Sequence, residues 1–279
     1  MKITDQIHIL RLNFEINLPS GKRIPRYVNS IIIFGKYITL IDTGIKGSDR
    51  EIYQYIRKQG RDPHEINTII LSHAHPDHIG SAASIKEFTD AKVLAHSGDK
   101  AWIENIDLQN RERPVPGFFG LVDEPVKVDE LIEHQQEFSA NNNVTLQFRH
   151  APGYSKGAIN VFFKEDKLLF TGDSIPLKND IPNYDNFRDV WQTLQNIKNN
   201  NGYSTLLSSW APPLNSSEAT LKIQEGEVYI SKIDKAVKEN YTKNGHGDLD
   251  SCFATVKALE LPHFLVNPIV DKTFRSHLR

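Results

Sequence analysis

The 279-residue chain has a single cysteine, Cys252, which excludes an intrachain disulfide and any thiolate metal cluster. A lone thiol with no partner suits a reducing compartment. Charge of one sign is not in excess either. Its 33 basic residues face 35 acidic ones for a formal net charge of -2, without the basic surplus of a general nucleic-acid binder. Long hydrophobic runs are also missing, and no stretch approaches the roughly 18 uninterrupted apolar residues of a membrane helix. Near the N-terminus, Asp5, His8, Arg11 and Glu15 interrupt what would be the apolar core of a signal peptide. These absences lead us to expect a cytoplasmic protein with neither nucleic acid nor membrane as partner.

What remains is 39% hydrophobic, enough for a sizeable core, in a length that suits one large α/β domain with an appendage. Ile7–Phe14 and Val28–Phe34 read as strands, followed by a turn into Tyr37–Asp42. Ser48 and Glu51 have the spacing of a capping box, and the helix they start should stop at Gly60. Further strands are expected at Asn67–Ser72, Lys92–Ala95, Val144–Arg149, Ala158–Lys164, Lys167–Thr171 and Ser204–Ser208. Helices are expected at Gly80–Phe88, Gly98–Asn105 and Asn186–Lys198. Between 107 and 128 a Pro- and Gly-rich stretch carrying Phe118 and Phe119 reads as a long loop, either a binding lid or a surface crossover. From Ser216 the pattern turns helical. Ile230, Ile233, Val237 and Tyr241 share one face, Asn244-Gly245-His246-Gly247 breaks the helix, and the last helix starts near Pro268. We read 1–215 as the main domain and 216–279 as an α-helical extension packed on it.

The strongest chemical signal is His73-Ala74-His75-Pro76-Asp77-His78, placed directly after an apolar strand. At the end of a strand, alternate residues His73 and His75 point to one side, and the turn that follows lets Asp77 and His78 face a second point nearby. Imidazole and carboxylate donors suit zinc, iron(II) or manganese, and the lack of cysteine ligands argues against a purely structural zinc.

Here the chain resembles the metallo-β-lactamase superfamily over roughly Ile7 to Pro213. Ile41-Asp42-Thr43-Gly44 looks like the family's early Asp-Thr-Gly turn. Phe170-Thr171-Gly172-Asp173 looks like the strand end whose carboxylate bridges two metals, and His150-Ala151-Pro152-Gly153-Tyr154-Ser155-Lys156-Gly157 looks like its T-P-G-H-[ST]-x-G segment. The resemblance implies an αββα four-layer sandwich with a divalent metal, zinc first and iron or manganese next, at one edge between the sheets. It also implies the roles of the residues. His73, His75 and Asp173 would hold one ion, and Asp77, His78 and Asp173 a second. Asp42 would orient a metal-bound histidine from behind.

Two positions depart from the family pattern. Tyr154 stands where a histidine ligand is expected, and Trp210, in Ser208-Ser209-Trp210-Ala211-Pro212, stands where the last one is. An indole nitrogen is only a donor, and a phenol ligates only as phenolate. The ligand count therefore ranks a two-metal or partly filled centre first, a single ion second and no metal third. His150 is weighed as a substitute ligand against a non-ligand role. His96 is read as a structural residue, and His134, His246, His263 and His277 as surface or packing residues.

The function implied is a metal-dependent hydrolase acting on a small ester, thioester, lactone or similar substrate through a metal-activated water. Asp77 or Asp173 would accept or orient the water proton, Tyr154 would donate to the oxyanion, and Phe118 and Phe119 would line the substrate pocket. The alternative is a weak or inactive binding protein with a depleted metal site. The helical tail either covers the pocket or pairs with a second subunit in a homo-oligomer.

Overall fold

In the computed structural model, which describes residues 1–17, 21, 23–141, 143–200, 202–241 and 249–279, the apolar runs form two sheets of six strands each. The first contains, in spatial and chain order, β1 (Ile7–Asn17), β2 (Arg23–Phe34), β3 (Ile38–Ile41), β4 (Ile66–Ile70), β5 (Lys92–His96) and β6 (Glu130–Ile132). Its strands are antiparallel up to β3 and parallel from β3 to β6. The second contains β7 (Glu137–Asn141), β8 (Val144–His150), β9 (Ile159–Phe163), β10 (Leu168–Phe170), β11 (Thr205–Leu207) and β12 (Leu214–Asn215). Here only β10 and β11 run parallel.

Parallel neighbours need a crossover, and helices supply it. The helices are α1 (Asp49–Lys58), α2 (Pro76–Ile79), α3 (Ala82–Thr89), α4 (Ser97–Ile103), α5 (Ile106–Glu112), α6 (Phe118–Leu121), α7 (Phe187–Asn199), α8 (Ser216–Tyr241), α9 (Leu249–Ala258) and α10 (Pro268–Ser276). Side chains alternate across each strand, so one strand serves two layers. Ile31 and Ile33 of β2 and Ile70 of β4 meet Phe148, Val161 and Phe170 of the second sheet. Their neighbours Ile32, Phe34 and Ile69 pack instead with Ile52 and Ile56 of α1 and Ile85 of α3. On the far side, Leu169 and Leu206 lie against Leu194 of α7 and Ile223 and Ile230 of α8. The result is the expected αββα sandwich. Where both faces are buried, as along 31–34 and 168–170, the strands carry continuous apolar runs, whereas β8 alternates.

Several local expectations are revised. Ser48 does not form a capping box. It is already helical (φ -69°, ψ -18°), its side chain makes no capping bond, and its amide closes a tight turn onto the Ile45 carbonyl at 3.0 Å. The capping box lies further on, where Asp62 accepts from the His64 amide at 2.9 Å and Glu65 from the Asp62 amide at 2.8 Å. The stretch 107–128 is not one long loop, because α5 and α6 fold within it. The short edge strands β6, β7 and β12 were not foreseen. The break at Asn244-Gly245-His246-Gly247, and His246 with it, lies outside the described residues. Among those described, no helix is long and apolar enough to cross a membrane.

The C-terminal helices have their own core, in which Ile233, Val237 and Tyr241 of α8 meet Val256 of α9 and Phe274 of α10. A buried polar chain then ties this extension to the main sheet domain. The Tyr184 hydroxyl donates to His277 Nε2 at 2.6 Å, and His277 Nδ1 donates to Asp234 Oδ1 at 3.1 Å. His277 is thus a packing residue, the second of the two expectations for it, and it latches the extension in place. Burial lowers its pKa to about 4, against the opposing pull of Asp234 and with a further small push from Lys238. A histidine held neutral in the fold protonates first in the unfolded chain. This stabilisation is therefore complete above pH 6.5 and is lost as pH falls from 6.5 to about 4. The gap corresponds to roughly 3 kcal/mol. Urea unfolding at pH 7 and pH 4.5 should show the loss in the wild type and a much flatter response in His277→Asn. Equal pH dependence in the two proteins would remove His277 from the account.

Candidate metal centre

Five strand ends converge at one edge of the sandwich. Asp42 follows β3, the histidine cluster follows β4, Tyr154 follows β8, Asp173 follows β10 and Trp210 follows β11. Strand C-termini in α/β sheets leave such a crevice because the chain must turn away there into its crossovers. Pro76 stands at the first position of α2, so the cluster passes from an extended backbone at His75 into a helical turn that carries Asp77 and His78. Gly44 makes the approach of the Asp42 turn workable. Its φ is +72°, and a Cβ there would stand 2.6 Å from Leu12 and from the Ser48 hydroxyl.

Asp173 lies at the middle of the cluster. Its Oδ2 is 3.5 Å from His73 Nε2 and 4.0 Å from His75 Nδ1, and its Oδ1 is 3.3 Å from His78 Nε2. Each imidazole is turned by a bond to its other nitrogen. His73 Nδ1 donates to Ser72 Oγ at 3.0 Å, and that hydroxyl donates to Asp42 Oδ2 at 2.7 Å. His75 Nε2 donates to the Tyr154 carbonyl at 3.1 Å, and His78 Nδ1 donates to Asp42 Oδ2 at 2.8 Å. With their protons committed outwards, three ring lone pairs face a carboxylate. Acceptors stand against acceptors there unless positive charge lies between them. His73 Nε2 and His78 Nε2 are both buried without a hydrogen-bond partner.

The electrostatics favour positive charge at this point, as a proton on His78 or as a metal ion in its place. Burial opposes charge on Asp173, yet His78 and His73 hold it well below the usual carboxylate range. Burial also works against charge on His78, but Asp173, Asp42 and Asp77 raise it well above the ordinary histidine value. His75 is pushed well below it, first by burial and then by the nearby Arg113 cation, so it stays a neutral donor of a lone pair. Asp77 is raised by burial.

A divalent ion fits this donor set. His73, His75 and Asp173 place their ligand atoms within 4.8 Å of one another, the only such trio among the described residues. Two bonds of about 2.0–2.2 Å reach about 4.0–4.4 Å, which covers the 3.5 and 4.0 Å from Asp173 Oδ2 to His73 Nε2 and His75 Nδ1. Asp77 and His78 also meet here, with Asp77 Oδ2 3.6 Å from His78 Nε2. The second set is nevertheless compromised by Trp210, whose Nε1 donates to Asp173 Oδ1 at 2.6 Å. Trp210 is wedged beside Phe14, ring centroids 6.4 Å apart, with the Arg26 guanidinium 6.0 Å from its own ring.

Tyr154 is buried on the wall of the site. Desolvation, helped by Asp173 and Asp180, raises its phenol pKa well above the ordinary value, which disfavours a phenolate ligand. His150 points away. It stacks on His96 at 4.0 Å and bonds the Lys156 carbonyl at 2.9 Å, beside a separate polar recess on the second sheet. Its amide donates to His134 Nδ1 at 3.1 Å, while His96 caps α4 by accepting from the Gly98 amide at 3.2 Å. His263 meets Phe253 in a ring contact of 5.5 Å.

Above the centre lies a cavity of about 550 Å³. His75, Asp77, Tyr154, Asp173 and Trp210 form its polar end. Its apolar walls come from the β1–β2 hairpin (Phe14, Ile16 and Ile24), from Ile175 and Leu177, and from Phe264 to Val270 of the C-terminal extension. The tail therefore covers the pocket. Phe118 and Phe119 do not line it, contrary to expectation. Phe118 packs into the core under α6, and Phe119, the next residue around that short helix, is 54% exposed. The same segment contributes Arg113, Val115, Pro116 and Leu121 instead.

Asp99 was not anticipated at all. Fully buried at the start of α4, it accepts from the Ala74 amide at 2.8 Å, the Ser155 hydroxyl at 2.6 Å and the Gly157 amide at 2.7 Å. It thereby ties the His73–His75 segment to the Tyr154 loop. Gly157 allows this approach, since a Cβ there would stand 2.4 Å from the Asp99 amide nitrogen.

Comparison with known proteins matches the family described as the metallo-beta-lactamase superfamily over residues 23–220. A protein named as a probable metallo-hydrolase in Bacillus subtilis (strain 168) is 30% identical over 128 residues, which is 46% of this chain and 56% of that one. A hydroxyacylglutathione hydrolase of Pelagibacter ubique (strain HTCC1062) is 31% identical over 107 residues, covering 38% of this chain and 35% of its own length. The alignments thus span only about half of these relatives or less. Among solved structures, a metallo-beta-lactamase family protein from Thermus thermophilus superposes with a TM-score of 0.74 at 16% identity. That likeness covers 97% of this chain and 93% of the other, and extends the shared fold into the C-terminal helices.

Proposed function

The chain belongs to the metallo-beta-lactamase superfamily, and on that premise we propose that it is a metal-dependent hydrolase of a small ester, thioester or lactone. One observation carries the reading. Three outward-tethered imidazoles turn their lone pairs onto Asp173 at the polar end of a roomy apolar cavity. His73, His75 and Asp173 would hold the ion, zinc being the first choice for such donors. A bound divalent cation supplies the charge that acidifies a water and polarises the acyl oxygen.

The chain's own residues do the rest. Asp77, on the cavity wall, accepts the proton of the attacking water as its oxygen bonds to the acyl carbon. The bond to the leaving oxygen or sulfur then breaks, and that proton passes to the departing alcohol or thiol. Tyr154 keeps its own proton and donates to the developing oxyanion. Asp42 and Ser72 hold His78 and His73 in the ligating tautomer.

We assign one ion rather than two, because the Trp210 indole occupies the Asp173 oxygen that faces His78. Elemental analysis after gentle purification should find about one ion per chain, with turnover of an ester, thioester and lactone panel that is lost on chelation. Trp210→His, which removes the indole donor and offers an imidazole, is expected to raise the content towards two. A wild type that already holds two refutes the single-ion assignment. Less than about a tenth of an ion, with no chelator-sensitive turnover, would favour a fold retained for binding alone.

A further inference from the structure

Two arginines stand on the wall of the cavity, and their circumstances differ. Arg26 is paired, its Nη1 and Nη2 donating to the two Asp180 oxygens at 3.1 and 2.7 Å. Arg113 is 3% exposed, and among the described residues its one side-chain bond runs from Nη2 to the Asn183 carbonyl at 2.9 Å. Its Nε is buried with no hydrogen-bond partner, and among the described residues no carboxylate pairs with it. Asp77, Asp173 and Asp185 act on it only through space. Removing a cation from water is costly unless a counter-charge and hydrogen bonds replace the lost solvent. A planar guanidinium with an unsatisfied donor, on the wall of an apolar cavity near its polar end, has the form of a carboxylate receptor.

We propose that Arg113 is the anion-binding residue of this cavity, and that the ligand it selects is a carboxylate with an apolar body. The proposal rests on the hydrolase reading for its consequence, namely that the ester, thioester or lactone hydrolysed carries a free carboxylate besides its scissile bond. The carboxylate takes the Arg113 donors, and the apolar body lies along Ile175, Leu177 and the residues of the C-terminal roof. In a cavity of about 550 Å³ such a ligand is of ordinary small-molecule size. A competing account holds that Arg113 merely balances Asp77, Asp173 and Asp185 at a distance. That account predicts a stability change on substitution but no effect on ligand choice.

The probes are octanoate and octanamide, matched in length and differing in charge, titrated calorimetrically into the full chain as purified and again after chelation. Octanoate should bind at least about tenfold more tightly in both preparations. In Arg113→Gln that preference should shrink to about twofold or less, read after chelation so that any change at His75 does not enter. Equal affinities in the wild type overturn the proposal, as does an undiminished preference in the variant. A preference that disappears on chelation while Arg113 is intact overturns it too, because the metal would then be the anion site. If Arg113→Gln fails to fold, the wild-type comparison before and after chelation still decides. Because binding is read without turnover, a protein inactive on every ester can still pass this test. An active one can fail it.

Discussion

Asp173→Ala is expected to empty the centre, leaving less than about a tenth of an ion per chain and lowering chelator-sensitive turnover by roughly a thousand-fold. The carboxylate stands between His73, His75 and His78 at 3.3 to 4.0 Å, and without it three inward lone pairs have no anion to complete a ligand set. Asp173→Asn separates charge from shape. Its amide oxygen can still accept from Trp210, so the packing of the indole survives while the ligand charge is lost. Both variants should therefore lose the metal, and only Ala should loosen the Trp210 side chain. Metal analysis with near-ultraviolet circular dichroism reads the two effects apart. Retention of a full ion by Asp173→Asn would show that this carboxylate is not a ligand.

The largest effect on stability is expected from Asp99→Ala. The substitution leaves the Ala74 amide, the Gly157 amide and the Ser155 hydroxyl buried without their acceptor. Orphaned buried donors cost about 1–3 kcal/mol each, so a total of at least about 3 kcal/mol follows. For a chain of this size that is a fall of roughly 10 °C in Tm. Burial raises the Asp99 pKa, and its bonds to Ser155, Gly157 and Ala74 only partly offset this. A Tm within about 2 °C of wild type would contradict the assignment. Because Ala74 sits between two proposed ligands, metal affinity should fall about 10- to 100-fold as well, as for other residues that orient ligands indirectly.

These two residues also mark what can be read in advance of a structure. Asp173 was accessible because it belongs to a contiguous pattern, an apolar strand ending in Thr171-Gly172-Asp173, and the His73–His78 cluster is local in the same way. Asp42 followed from the Asp-Thr-Gly turn. Asp99 has no such signature, since its donors lie 25, 56 and 58 residues away and only the packing of two loops brings them together. Arg113 sits in a stretch whose composition suggested a long loop, either a binding lid or a surface crossover, yet its meaning depends on which carboxylates fail to reach it. Phe118 and Phe119 illustrate the limit of composition. Neighbours in a four-residue helix point in different directions, one into the core and one to solvent, and neither reaches the cavity. Ser48 and Asp62 both open a capping-box spacing, and the tight Ile45–Ser48 turn decides which of them can use it.

The C-terminal roof separates two kinds of heritable change. The proposed metal ligands lie between positions 73 and 173, whereas Phe264, Ile269 and Val270 reach the cavity from a distant stretch of the chain. Substitutions in that stretch can reshape the space offered to a ligand without disturbing a single ligating atom. Selectivity can thus drift while the reaction chemistry stays under separate constraint, and a mutational library confined to 264–270 would explore new ligands at little risk to the metal.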